Sequence, residues 1–119
     1  MLKLWIDDDA RTPHMMRFRY PPDDSWTIAV SSQEAIAVVK EKGFPDELGL
    51  DHDLGRHDTV MRFLNWLMLT YGEDHPPPPC EIHTQNPVGA ENIQALLNTW
   101  KNYVYISCEE IAKCNSLDK

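Results

Sequence analysis

Cysteine is scarce in this chain, and the little there is forms no pattern. The 119 residues hold three cysteines, Cys80, Cys108 and Cys114, with no C-x-x-C pair and an odd count. That spacing argues against a disulfide framework and against a closely spaced Cys/His zinc site. No H-E-x-x-H segment is present either. No apolar run approaches the ~20 residues that a membrane-crossing helix needs, and Met1-Leu2-Lys3 does not read as a signal peptide. Positive charge is the other shortage: 11 Lys and Arg stand against 19 Asp and Glu, a formal net charge of −8. Such a surface repels nucleic-acid backbones at long range, so bulk duplex binding is not expected. The expectation is a cytoplasmic protein with no membrane contact and a surface open to a protein partner.

What is present suits one domain spanning residues 1–119. An apolar content of 42% at this length supports a core without metal or disulfide staples. Strands are expected at 2–6, 26–31, from about 48 to the 51–53 triplet, and at 80–84, with a last one at 103–106. Between them, Ser31 or Ser32 caps a helix striped by Ala35, Ile36, Val38 and Val39. Residues 59–71 repeat Val60, Phe63, Leu64, Leu67 and Met68 at helical spacing. A further helix runs from Val88 or Gly89 to Trp100. Residues 13–25 read as a loop, 76–79 as a stiff proline connector, and 107–119 as a tail holding at most a short helix. The alternation predicts a small α/β three-layer sandwich with a mostly parallel sheet of four or five strands.

Two apolar runs end in carboxylates: Asp7-Asp8-Asp9 closes the first, and Asp51-His52-Asp53 closes the third. Aspartate is a poor strand former and is almost never buried without a partner. If the two strands are parallel neighbours, both clusters lie at carboxyl ends, where open α/β sheets place ligands. Carboxylate oxygens are hard ligands suited to Mg2+ or Mn2+. A carboxylate pair performing acid/base work is the alternative reading.

The fourth strand leaves through His83, Thr84, Gln85 and Asn86, followed by Pro87-Val88-Gly89. Imidazole at such an end can donate to a phosphoryl oxygen or move a proton near neutrality. The helix start beyond it is an anion receptor in type, although Asn86 is equally suited to cap that helix with Pro87 in its first turn. Arg11, just past the first acidic cluster, can clamp a phosphate bidentately. Arg56 and His57 can reach the same mouth. Trp5, Trp26, Trp66 and Trp100 are expected in the core.

The order of Asp7-Asp8, Asp51-His52-Asp53 and His83-x-x-Asn86-Pro87 at successive strand ends resembles a response-regulator receiver. More narrowly, it is similar to the receiver-like domains of bacteria and phages proposed to process cyclic phosphates. The resemblance rests on Leu4-Trp5-Ile6-Asp7-Asp8 with Arg11 and Pro13, on residues 26–37, on Leu50-Asp51-His52-Asp53-Leu54-Gly55, and on His83 to Gly89 with Asn92. It implies a flavodoxin-like topology, an acidic pair at Asp7 and Asp8, a floor of Asp51, His52 and Asp53, and closure by His83 and Asn86. Arg11 would contact the phosphate. The strand pattern selects Asp7 and Asp8 as the pair, whereas the distance to Arg11 selects Asp8 and Asp9.

The expected function is a metal-assisted phosphoesterase acting on a 2′,3′-cyclic nucleotide or an RNA end. Asp7, Asp8, Asp51 and Asp53 would hold Mg2+ or Mn2+. His52, His83 and Asp53 would be catalytic, and Arg11, Asn86 and Gly89 would bind substrate. The alternatives are a phosphoacceptor receiver, for which no lysine ends the 103–106 segment, and a non-catalytic protein that binds a nucleotide or a partner.

Overall fold

The computed structural model describes residues 1–8, 23–55 and 57–117, with side chains through residue 102. Asp9, Arg11, Arg56 and most of the loop expected at 13–25 lie outside the described residues. The elements are β1 (Lys3–Ile6), β2 (Thr27–Ala29), α1 (Ser32–Lys42), β3 (Glu47–Leu50), α2 (Val60–Tyr71), β4 (Cys80–Ile82) and α3 (Pro87–Leu117). The strands form one four-stranded sheet in the order β2-β1-β3-β4, with every pair parallel. The chain steps one way from β1 to β2 and the other way from β3 to β4, so β1 and β3 flank the topological switch point. Among the described residues no helix is long and apolar enough to cross a membrane.

Alternation along the strands separates two faces. Leu4, Ile6, Leu48 and Leu50 point into one core with Ala35 and Val39 of α1, Phe63, Leu64 and Leu67 of α2, and Ile93, Leu97 and Trp100 of α3. Trp5 and Gly49, paired across β1 and β3, belong to the other face. A Cβ at position 49 would collide with the Trp5 ring at Cε3. Glycine is needed there because the indole lies flat over the strand.

The local signals for helix ends hold. Ser31 Oγ accepts from the Glu34 amide at 3.0 Å, and the Gly43 amide closes α1 onto the Val39 carbonyl at 2.7 Å. Asn86 Oδ1 accepts from the Gly89 amide at 3.1 Å, with Pro87 opening α3. The connector at 76–79 runs directly into the sheet, where the Leu48 amide donates to the Pro79 carbonyl at 2.9 Å.

One element departs from expectation. The strand expected at 103–106 is helix, since α3 continues for 31 residues through Leu117, and the sheet stops at four strands. The tail expected at 107–119 is accordingly helix as far as Leu117. Tyr103, Val104, Tyr105 and Ile106 favour strands only where a pleated surface receives them. No glycine or proline follows Gly89, so nothing breaks the helix once it has begun.

These contacts generate expectations of two kinds. Leu50→Ala should cost roughly 2–5 kcal/mol through the cavity it opens. Gly49→Ala should cost about 1–3 kcal/mol by overpacking against Trp5. Both are read from urea melts, and a neutral Gly49→Ala would contradict the packing described. The second kind concerns Cys80, whose thiol donates to the Pro78 carbonyl at 3.1 Å. Burial pushes that thiol up from 9.0 to about 12, against a smaller opposing pull from Lys101. Between those two values the unfolded chain has released this proton and the folded chain has not. Cys80 therefore subtracts stability as pH rises through that window. At pH 8.5 its alkylation, followed by peptide mapping, should be far slower in the folded than in the urea-unfolded protein.

Candidate functional site

The parallel ladder extends one residue beyond the strands, and the residues it positions are the polar ones. The Asp7 amide donates to the Ala29 carbonyl at 3.0 Å, the Asp51 amide to Ile6 at 3.0 Å, and the His83 amide to Leu50 at 2.9 Å. Ile6 pairs with Leu50, and Leu50 with Ile82. Asp7, Asp51 and His83 therefore form the next row across β1, β3 and β4, on the face that carries Trp5 and Gly49.

Asp7 and Asp51 are buried, at 0% and 1% exposure, and Asp8 is half-buried. One carboxylate oxygen from each of the three lies within 4.8 Å of the others, an arrangement able to hold a metal ion. Unit negative charges at such a separation repel by on the order of 3 kcal/mol at an effective dielectric constant near 20. A shared divalent cation turns that repulsion into attraction, and an all-carboxylate donor set suits a hard ion. Asp7 and Asp8 are thus the members of the acidic run that meet Asp51; Asp9 lies outside the described residues.

Asp53 is placed apart from that cluster. Past β3 the chain turns, pairing Asp53 with Thr59 in an antiparallel bridge and closing the Leu54 amide onto the Asp58 carbonyl at 3.0 Å. The Asp53 side chain is 61% exposed. Its two oxygens are held by His52 Nδ1 at 3.0 Å and by Asn86 Nδ2, which donates at 3.2 Å. His52 itself is buried against α3, where a Cβ on Gly89 would come within 2.5 Å of its Cγ. Gly89 thus supplies room for an imidazole, and its amide is engaged by Asn86. Pro87 has no amide hydrogen and the Ala90 amide donates to the Asn86 carbonyl at 2.9 Å. Val88 is left as the first-turn amide that Asn86 does not engage.

An open cleft of about 510 Å3 is lined by Asp8, Asp51, Asp53, Gly55, Thr84, Gln85 and Asn86. Neither His52 nor His83 lines it. His83 stands behind the cluster, its Nε2 3.2 Å from Asp7 Oδ2 and its ring stacked on Trp5 at 4.2 Å and 6°. The structure thus gathers Asp8, Asp51, Asp53 and Asn86 around one cleft, keeps the buried Asp7 within reach of Asp8 and Asp51, and sets both imidazoles beside carboxylates.

Sequence reasoning missed two supports. Asp58 accepts from the Ser32 amide at 2.9 Å and from the Ser32 hydroxyl, tying the loop after β3 to the start of α1. No spacing rule joins residues so far apart. The other is the Trp5–Gly49 contact, for which a signal did exist: a glycine inside the apolar run Leu48-Gly49-Leu50 marks a close approach.

Comparison with known proteins agrees with this geometry. A solved chain, a fusion carrying the yeast Spc42 trimeric coiled coil, aligns over 98% of this chain and 80% of its own, with a TM-score of 0.51 and 15% identity. That likeness bears on the fold alone. No curated protein matches the sequence significantly. The family model described as the cyclic-phosphate processing receiver domain matches residues 2–99. With that match spanning the sheet, the acidic cluster and the cleft, the chain belongs to the cyclic-phosphate processing receiver domain family.

Proposed function

We propose that this protein is a metal-assisted phosphoesterase that opens or hydrolyses a cyclic phosphate, a 2′,3′-cyclic nucleotide or an RNA end. The observation that carries the reading is the convergence of Asp7, Asp8 and Asp51 at the switch point, beside a cleft walled by Asp53, Thr84, Gln85 and Asn86. Asp7, Asp8 and Asp51 would hold Mg2+ or Mn2+. Bound there, the ion supplies a Lewis acid for phosphoryl oxygens and acidifies a coordinated water.

In the reaction a water oxygen bonds to phosphorus, one ester P–O bond breaks, and the departing ribose oxygen takes a proton. Asp53 lines the cleft and in this reading accepts the water's proton. His52 and Asn86 fix its two oxygens. The departing oxygen, in an open cleft, is protonated from solvent. The direct acid and base roles expected of His52 and His83 pass in this reading to Asp53 and solvent. His52 acts through Asp53 and His83 through Asp7. Thr84, Gln85 and the Val88 amide are the donors available to phosphate and sugar oxygens, with Arg11 a further candidate in the segment after Asp8.

The exposure of Asp53 favours a second reading, a phosphoacceptor receiver. Among the described residues there is no fifth strand to bring a lysine to the site, which weighs against it. A hydroxylamine-sensitive mass increase after treatment with a small phosphoryl donor and Mg2+ would support that alternative.

Incubating the protein with a panel of cyclic phosphates and Mg2+ or Mn2+, with products read by mass, should show turnover that a chelator abolishes. Absence of turnover by folded protein would sink the catalytic reading, and calorimetric binding without turnover would replace it with sequestration. Asp53→Asn should lower kcat about 10²–10⁴-fold while moving stability by no more than about 0.5 kcal/mol. Asp51→Asn should lose both turnover and Mn2+ affinity. A variant at Asp53 that lost its fold along with its activity would return that residue to a structural role.

A further inference from the structure

We propose that Trp5 is a positioning residue of the site: its indole face holds the His83 imidazole beside Asp7, in the part that a hydrogen-bonding partner usually plays. Functional imidazoles are ordinarily oriented by a hydrogen bond from the ring nitrogen facing away from the chemistry. Among the described residues His83 has no such anchor. Its side chain is 10% exposed, and neither ring nitrogen has an aligned hydrogen bond among the described residues. Nε2 nevertheless lies 3.2 Å from Asp7 Oδ2. What meets the ring is Trp5, parallel to within 6° at a centroid distance of 4.2 Å.

The indole is itself held. Gly49 lies beneath it, with no room for a Cβ, and Trp26 meets it edge-on at 5.3 Å and 82°. The His83 backbone is fixed separately by its amide bond to Leu50. Backbone and ring plane are thus set by two independent contacts, and the remaining freedom of the imidazole is rotation that the stack opposes. The sequence placed Trp5 in the core; its neighbours give it a second role.

The kinetic arm of the test rests on the phosphoesterase reading, whereas the spectroscopic arm does not. The full chain is labelled with ¹³C-histidine, and His83→Gln assigns the His83 lines. Stacking predicts that the His83 ring protons lie upfield of their positions in the urea-unfolded chain, that Trp5→Leu abolishes the displacement, and that Trp5→Phe keeps part of it. Mn2+ should broaden the His83 lines in the wild type and Trp5→Phe, and less at equal Mn2+ in Trp5→Leu. With the cyclic phosphate that the wild type turns over best, Trp5→Leu should lower kcat about 10–100-fold, as loss of an orienting partner does. KM should change little, and Trp5→Phe should restore most of kcat.

His83 lines at ordinary positions in the wild type would overturn the proposal, even if Trp5→Leu did not fold. So would a folded Trp5→Leu with unchanged kcat and broadening, or equal impairment of the two folded variants. If the wild type turns over nothing, the phosphoesterase reading fails, and the histidine spectra alone decide whether Trp5 holds the ring.

Discussion

The site depends on the register of a parallel ladder. Three backbone hydrogen bonds, from Asp7 to Ala29, Asp51 to Ile6 and His83 to Leu50, carry the sheet one row past its last apolar residues. Because the strands are parallel and the order is β2-β1-β3-β4, that row falls at one end of the sheet, with two aspartates and a histidine in line. A slip of one residue in any strand would turn its polar side chain to the opposite face and its apolar neighbours out of the core. The apolar pairs Ile6–Leu50 and Leu50–Ile82 thus fix the carboxylates, and the energy that places the charges comes from the leucine and isoleucines behind them.

Much of this was legible beforehand because the signals were local. Strand runs ending in aspartate, serine before an amphipathic stripe, and Asn86-Pro87 ahead of a helix are short patterns with a direct physical cause, and the structure keeps each of them. The acidic cluster was legible only as a conditional, since Asp7 and Asp51 meet only if β1 and β3 are neighbours. The family resemblance made that condition concrete.

The remainder was illegible for identifiable reasons. Asp53 sits two residues after Asp51 and lines the same cleft, but the bridge from Asp53 to Thr59 ends the regular strand first, and Asp53 stays outside the group that Asp51 forms with Asp7 and Asp8. His52 and His83 were natural acid and base candidates by type, but which side of a carboxylate an imidazole occupies depends on Gly89 and Trp5, far away in sequence. The β-prone composition of 103–106 pointed to a strand, and an uninterrupted helix overrode it.

The contact between His52 and Gly89 has a consequence beyond this molecule. A Cβ at 89 and an imidazole at 52 cannot occupy the observed poses together. The two positions, on separate elements, are therefore bound to change as a pair. A descendant that gains a side chain at 89 must shrink or move the residue at 52, and with it the grip on one oxygen of Asp53. Drift in the first turn of α3 is in that sense drift in the site.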